Sequence, residues 1–531
     1  MKTEDSKDVP RKPRKMRWWM PSVILLIAVA TITALNQAPE LPIIKKIMFG
    51  MLTVVVSALL LLVWFMFLSA FRWRTRFIGL AVIVLLVFGF SRVVRIDGAI
   101  DGSGQPRLVW KWTPKNTGLV KAQPVAMLST STTARKPEVN VAFPGLLGNS
   151  RNGVISGILL DRDWTAHPPQ QVWRQPIGLG WAGFAIAGST AVTLEQRAEN
   201  ELVVAYELTT GNTLWMHTNR VRFSEKMGGD GPRSTPTIAN GRVYTVGATG
   251  ILNCLDLQDG RLIWSHDVLG ETHQPNLIFG VSCSPLIVDD LVIVTGGLTN
   301  GPTLLAYRID NGSNIWKSGA DNASYSSPML ATLCGKRQVL SVNEASVTAH
   351  NPADGRILWK YDWKKWGPRC AQPVIVEGDR VFLSAGFGVG CVLLQIKSDA
   401  AGQLSAEELW KNLRLKTQFS TAVARGNFVY GLDEGVLACI NLATGERAWK
   451  DGHYGYGEVL MIDDMLLVQT EPGAVTLVEA DPAQYREVAR FGALNSKTWN
   501  NPALAGEYFI TRNDQEAICY RLPLQKPRSI N

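Results

Sequence analysis

From residue 182 onward, short apolar runs come in pairs separated by tight polar turns, a pattern of half-buried strands in hairpins rather than of helices. The clearest pair is STPTIANGRVYTVGATG (residues 234–250), where Asn240-Gly241 offers the positive φ angles of a two-residue hairpin turn. Related pairs occupy residues 284–297, 372–386 and 420–435, with weaker copies at 182–194, 327–343, 457–470 and 501–512, so eight inner hairpins are predicted. Before residue 95 the pattern changes. Residues 18–35, 47–71 and 77–90 are apolar runs without a charged side chain, and the second, at 25 residues, exceeds the roughly 20 needed to span a bilayer. Three transmembrane helices are predicted, at 18–35, 47–71 and 77–94, the third borrowing residues 91–94 with Arg92 reaching to the membrane surface.

Five of the hairpins lead into an eleven-residue phrase ending in tryptophan: AYELTTGNTLW (205–215), CLDLQDGRLIW (254–264), AYRIDNGSNIW (306–316), AHNPADGRILW (349–359) and CINLATGERAW (439–449). Each reads as the end of one strand, a turn through glycine and an outer strand closed by a large aromatic. The first four tryptophans are spaced by 49, 52 and 43 residues, the period of a propeller blade. Hairpin and phrase together make a four-stranded antiparallel unit, so the fold class is all-β: an eight-bladed β-propeller over residues 143–522, behind N-terminal transmembrane α-helices. The last unit stops after its third strand, at 517–522. The free strand QVWRQPI (171–177) is expected to complete that blade and close the ring, which leaves no open sheet edge.

The phrase Ala-x-Asp-x-x-Thr-Gly-x-x-x-Trp resembles the tryptophan-docking repeat of quinoprotein alcohol dehydrogenases, which the propeller lipoprotein of the outer-membrane assembly machinery shares. FPGLLGNSRNGV (143–154), residues 193–197 and GDGPRSTPT (229–237) are also similar to a membrane-anchored bacterial subgroup with PQQ-like repeats. The resemblance implies that Trp173, Trp215, Trp264, Trp316, Trp359 and Trp449 each dock against the next blade's repeat. For an enzyme of this family it would also imply the cofactor PQQ with calcium, an Asp base, adjacent cysteines against the quinone and, in haem-bearing members, a Cys-x-x-Cys-His motif. Neither of the last two motifs occurs here.

Charge is uneven. Residues 1–140 carry 20 Lys and Arg against 7 Asp and Glu, while the remainder carries 34 against 38, so the overall +9 comes from the membrane-proximal part. The propeller is mildly acidic and has no basic stripe, which excludes nucleic acid as a partner. Basic residues before the first helix (Arg11, Lys12, Arg14, Lys15, Arg17) and between the second and third (Arg72, Arg74, Arg76) outnumber Lys45 and Lys46 between the first and second. That bias places the N-terminus (residues 1–17) in the cytoplasm and the propeller outside a cytoplasmic, or inner, membrane. Residues 95–142, rich in Gly, Pro, Ser and Thr, read as a flexible linker, and 523–531 as a tail.

Seven cysteines are an odd number, which leaves at least one thiol unpaired within the chain. Cys254, Cys439 and Cys519 stand where other repeats have Ala and are expected to pack as small hydrophobes; a disulfide among Cys283, Cys334, Cys370 and Cys391 stays open. Two glycine-rich matches are discounted. Residues 178–183 spell a dinucleotide fingerprint but lead into a strand, and 386–391 lie between strands. The six histidines show no metal-ligand spacing.

In a propeller the turns joining second to third strands and the connections between blades open on one face, and their polar side chains gather round the channel mouth. Candidate ligand-binding residues on this funnel face are Glu195, Arg197, Asp230, Arg233, Asn343, Glu344, Arg369, Asp433, Trp499 and Arg512. No catalytic residue and no metal ligand is singled out. The expected function is a binding or scaffold module for protein, peptide or envelope ligands; the alternative is a PQQ-dependent dehydrogenase of alcohols or sugars feeding membrane quinone.

Overall fold

The computed structural model describes residues 16–38, 41, 43–118, 142–298, 300–365 and 367–525. The chain divides into two compact units: residues 1–96 with 108–114, and residues 97–107 with 115–531.

The first unit holds three helices, α1 (Trp19–Gln37), α2 (Ile43–Val63) and α3 (Trp73–Val93), each belonging to a span long and apolar enough to cross a membrane. A π-helical turn, Trp64–Leu68, extends α2. Arg76 folds back onto the carbonyls this ending leaves free, donating to those of Met66 (2.6 Å), Phe71 (3.0 Å) and Ser69. Helix α3 starts four residues earlier than expected because Trp73-Arg74-Thr75-Arg76 are helix-compatible and the extended Arg72 supplies its N-terminal boundary.

The stretch expected to be wholly flexible, 95–142, is not. Strands β1 (Val94–Ala99) and β2 (Pro106–Trp110) pair as a hairpin, and its tip, 97–107, belongs to the propeller unit. Residues 119–141 of the expected linker, like most of 1–17 and residues 526–531, lie outside the described residues.

The second unit is an eight-bladed propeller. Blades 2 to 6 are four-stranded sheets at residues 237–267, 286–318, 329–362, 374–412 and 423–453. Blade 1 (185–219) gains a fifth strand, Ala142–Phe143, and blade 7 (458–492) gains Val154–Ile155 in parallel. Blade 8 (503–521) is completed by Gln170–Pro176, whose Trp173 pairs with Cys519. The ring therefore closes with the strand the sequence left free. Residues 142–155 run along the inner strands, bonding to blades 1, 2 and 7, while Arg151 donates to the carbonyls of Ser284 and Pro285 at blade 3.

The core lies between neighbouring sheets. One cluster joins Ala185, Val192 and Trp215 of blade 1 to Ile238, Val243 and Leu255 of blade 2. Trp215 fits there because its Nε1 donates to the Leu257 carbonyl at 2.9 Å and its ring lies against the turn of the next phrase. A Cβ on Gly260, at φ +72°, would stand 2.4 Å from that indole. The repeat glycine thus serves both the left-handed turn and the close approach of the ring. Trp173, Trp264, Trp316 and Trp449 also donate to a carbonyl of the following blade.

Trp359 also packs against the following blade, in a buried cluster with Val381, Val392 and Leu394, but its Nε1 turns to Gln338 Oε1 of its own blade at 2.5 Å. The cause is blade 5, whose third and fourth strands are nine residues each, so that its glycine turn, at Gly402, is carried farther from the outer tryptophan than in the phrase. That blade's own outer tryptophan, Trp410, was hidden by the missing phrase and donates to the Leu442 carbonyl at 2.8 Å. Opposite each outer tryptophan of the repeats sits Ala or Cys, in register Ala205 with Trp215, Cys254 with Trp264 and Cys439 with Trp449. All seven cysteines are free. Burial pushes the thiols of Cys439 and Cys519 up to about 12, which makes them inert filling rather than reactive groups.

Candidate functional site

Most of the residues expected at the funnel face are consumed by the loops that carry them. Glu195, fully buried, accepts from the Gly178 amide (2.7 Å), Arg197 Nε (2.9 Å) and the Tyr206 hydroxyl. Arg512 donates to the carbonyls of Leu194 (2.8 Å) and Gly178 (2.6 Å), so Glu195, Arg197 and Arg512 do come together, as a lock between blades 8 and 1. Burial lowers the Arg512 pKa. Asp230 is held by Arg222 (2.6 Å) and Ser224 (2.7 Å), and Arg233 by the carbonyls of Gly229 (2.6 Å) and Gly231, its guanidinium over Phe223.

The same holds on the other blades. Asn343 bonds Ser341, Ser346 and Thr348, while Glu344 accepts from Asn322 at 2.9 Å. Arg369 stacks over Trp363 and donates to the carbonyls of Gly367 (2.5 Å) and Lys365 (2.6 Å). Asp433 is buried under Lys416 (2.8 Å), Lys450 (2.5 Å) and Arg447 (3.3 Å). Asp230, Arg233, Glu344 and Arg369 are each engaged by neighbouring loop groups, and among the described residues no group of three or more His, Cys, Asp or Glu is placed to hold a metal ion. As arranged, these residues do not fit a quinone with its calcium.

What does converge is an arc of aromatic rings on the connections around Trp499. Trp181 lies 4.9 Å and Phe419 5.0 Å from Trp499, centroid to centroid, and Tyr456 lies 6.1 Å from Phe419. Lys497 sits over Trp499 at 4.1 Å, its pKa lowered by burial. Glu471, on the turn of blade 7, ties the arc together: Oε1 accepts from Trp499 Nε1 at 2.6 Å and Oε2 from the Tyr456 amide at 3.1 Å. Glu471 and Trp499 are visible in the sequence as polar or aromatic residues of a turn and a connection. Trp181 lies in the discounted glycine-rich stretch 178–183, and Gln418, Phe419, Tyr456 and Lys497 carry no motif.

The tip of the β1–β2 hairpin lies in this cradle. Glu471 Oε1 accepts from the Gly102 amide at 2.7 Å, Gln418 Nε2 donates to the Gly102 carbonyl, and Lys497 Nζ donates to the Ala99 carbonyl at 3.1 Å. The amides of Gly98 and Ala99 donate to the carbonyls of Lys226 (2.9 Å) and Met227 (3.1 Å). A Cβ on Gly102 would stand 2.4 Å from the Tyr456 ring, so only glycine fits. Every one of these bonds reads main chain. A separate cavity of about 850 Å³, on the rim of blade 7, has most of its charged side chains engaged, Arg162 with Asp464 and Glu479, His167 with Asp161, and Asp163 with the amides of Thr165 and Ala166.

A family model described as Outer membrane protein assembly factor BamB matches residues 199–451. The Shewanella oneidensis protein of that name is 22% identical over 293 residues, which is 46% of this chain and 70% of the relative. The fold is that of the PQQ-like eight-bladed propellers. Quinohemoprotein alcohol dehydrogenase ADH-IIG of Pseudomonas putida is 26% identical over 144 residues, 25% of the PQQ-like chain, which spans 19% of that enzyme's length. Among solved structures, BamB from Moraxella catarrhalis superposes with a TM-score of 0.50 at 16% identity, covering 68% of this chain and 99% of that one. A europium-containing methanol dehydrogenase gives 0.53 at 12%, covering 72% and 98%. At such identities the superpositions establish the PQQ-like fold, which binding proteins and dehydrogenases share.

Proposed function

We propose that this PQQ-like propeller is a membrane-anchored, extracytoplasmic binding module that engages a protein or peptide at the Trp499 cradle. One observation carries the proposal: the polar groups of the cradle, Glu471, Gln418 and Lys497, are all engaged with peptide main-chain atoms. Aromatic faces beside fixed amide partners are how a protein surface holds a peptide segment. The likeness to an outer-membrane protein assembly factor supports a protein ligand, and the basic residues at 11–17 and 72–76 support placement outside an inner membrane. The dehydrogenase alternative rests on likeness of fold and on sequence likeness over 25% of the chain.

The test is a photoreactive phenylalanine analogue at position 419 of the full chain in its native membrane. A discrete protein adduct, lost in Glu471→Ala, is expected. Adducts to lipid or small molecules alone, or a protein adduct indifferent to Glu471, would contradict the proposal.

A further inference from the structure

The hairpin tip is held in a way that leaves it exchangeable. Its hydrogen bonds to Glu471, Gln418 and Lys497 all run through its main chain, and Asp101 spends its carboxylate inside the turn, accepting from the Ser103 amide at 2.9 Å. The one large apolar side chain of the turn, Ile100, is 55% exposed instead of inserted. Trp499 and Phe419 remain only half-buried beneath it, so aromatic surface is left for a ligand to cover. Around Gly102 selection is strict, because the Tyr456 ring stands where any side chain would begin.

We infer that the cradle is a receptor for a glycine-bearing β-turn, kept filled by the chain's own hairpin until a turn of the partner protein displaces it. This rests on the funnel-face reading above and names its ligand chemistry. Recognition comes from an acceptor, Glu471, for the glycine amide, a donor, Gln418, for its carbonyl, and the exclusion of a Cβ. A resident intramolecular ligand competes at high effective concentration, so a partner succeeds only if it also covers the exposed rings.

The experiment uses the full chain in detergent micelles and a head-to-tail cyclic peptide with the sequence of residues 96–108. In Gly102→Leu, which evicts the tip, the peptide is expected to bind saturably and at least about tenfold tighter than to the unaltered chain. The same peptide carrying leucine at the position of Gly102 should not bind, and adding Glu471→Ala to the evicted chain should remove binding. Eviction is checked separately by maleimide labelling of Ser103→Cys, slow in the parent background because Ser103 is 6% exposed, and fast with Gly102→Leu. If that variant does not fold, Gly102→Ala serves in its place, since even one methyl meets the Tyr456 ring. An evicted, folded chain that ignores the peptide, or an unaltered chain that binds it equally well, overturns the inference. Either result concerns turn recognition and leaves the position-419 adduct to judge the broader reading.

Discussion

Trp215→Ala is expected to destabilise the propeller by about 3–5 kcal/mol, the cost of emptying a large aromatic site that adjoining sheets cannot collapse to fill. The indole is 5% exposed and its Nε1 bond to Leu257 is lost with it. Gly260→Ala is expected to be costly for two separable reasons: the new Cβ would lie 2.4 Å from the indole, and φ of +72° strains an L-residue by about 1 kcal/mol. In the double variant the clash is gone and only the backbone strain remains, so the two costs should fall well short of additive. Thermal unfolding of the four chains measures this. Additivity would mean that tryptophan and glycine do not form one unit. Trp499→Ala, at a half-buried funnel position, should be much milder.

Glu201→Gln is expected to alter the pH profile of stability by roughly 3 kcal/mol, each pKa unit being worth about 1.4 kcal/mol. Burial raises the Glu201 carboxyl from its ordinary 4.5 to about 7; Oε2 accepts from the Ala248 amide at 2.9 Å, and Oε1 has no partner. Between these values the folded chain keeps a proton that the unfolded chain has released. The contribution is therefore present in full below about pH 4.5 and lost as the pH rises through 7. Glutamine resembles the protonated acid and does not titrate. At pH 5 the variant and parent should melt within about a degree of each other, and at pH 8 the variant should melt several degrees higher. Parallel profiles would show that Glu201 is charged in the fold. Glu458, which burial also raises, lies in both chains and cancels from the comparison.

The eight blades and the closing strand were legible because a repeat writes one packing requirement many times: a ring, a small residue opposite it and a glycine beneath the next. Where one blade dropped the phrase, the pattern misled. Trp410 stayed hidden, and the Trp359 indole N–H found its acceptor in its own blade although the ring packs on the next. At the funnel face, sequence identified which loops meet but not which side chains remain available. Arg369 and Arg512 look like ligand groups in a sequence, yet Arg369 is buried against carbonyls of its own loop and Arg512 against those of adjoining loops, because irregular backbone leaves acceptors that must be satisfied. The hairpin was illegible for a different reason. Its sequence, IDGAIDGSGQPRL, has the composition of a linker, and what orders its tip is Glu471, more than 360 residues away.

Titration of the full chain in detergent with PQQ and calcium, followed by thermal unfolding and by dye-coupled oxidation of alcohols and sugars, separates binding module from dehydrogenase most directly. A binding propeller shows no calcium-dependent rise in melting temperature with PQQ and no dye reduction. A calcium-dependent stabilisation together with substrate-dependent dye reduction would contradict the account and make the chain an enzyme.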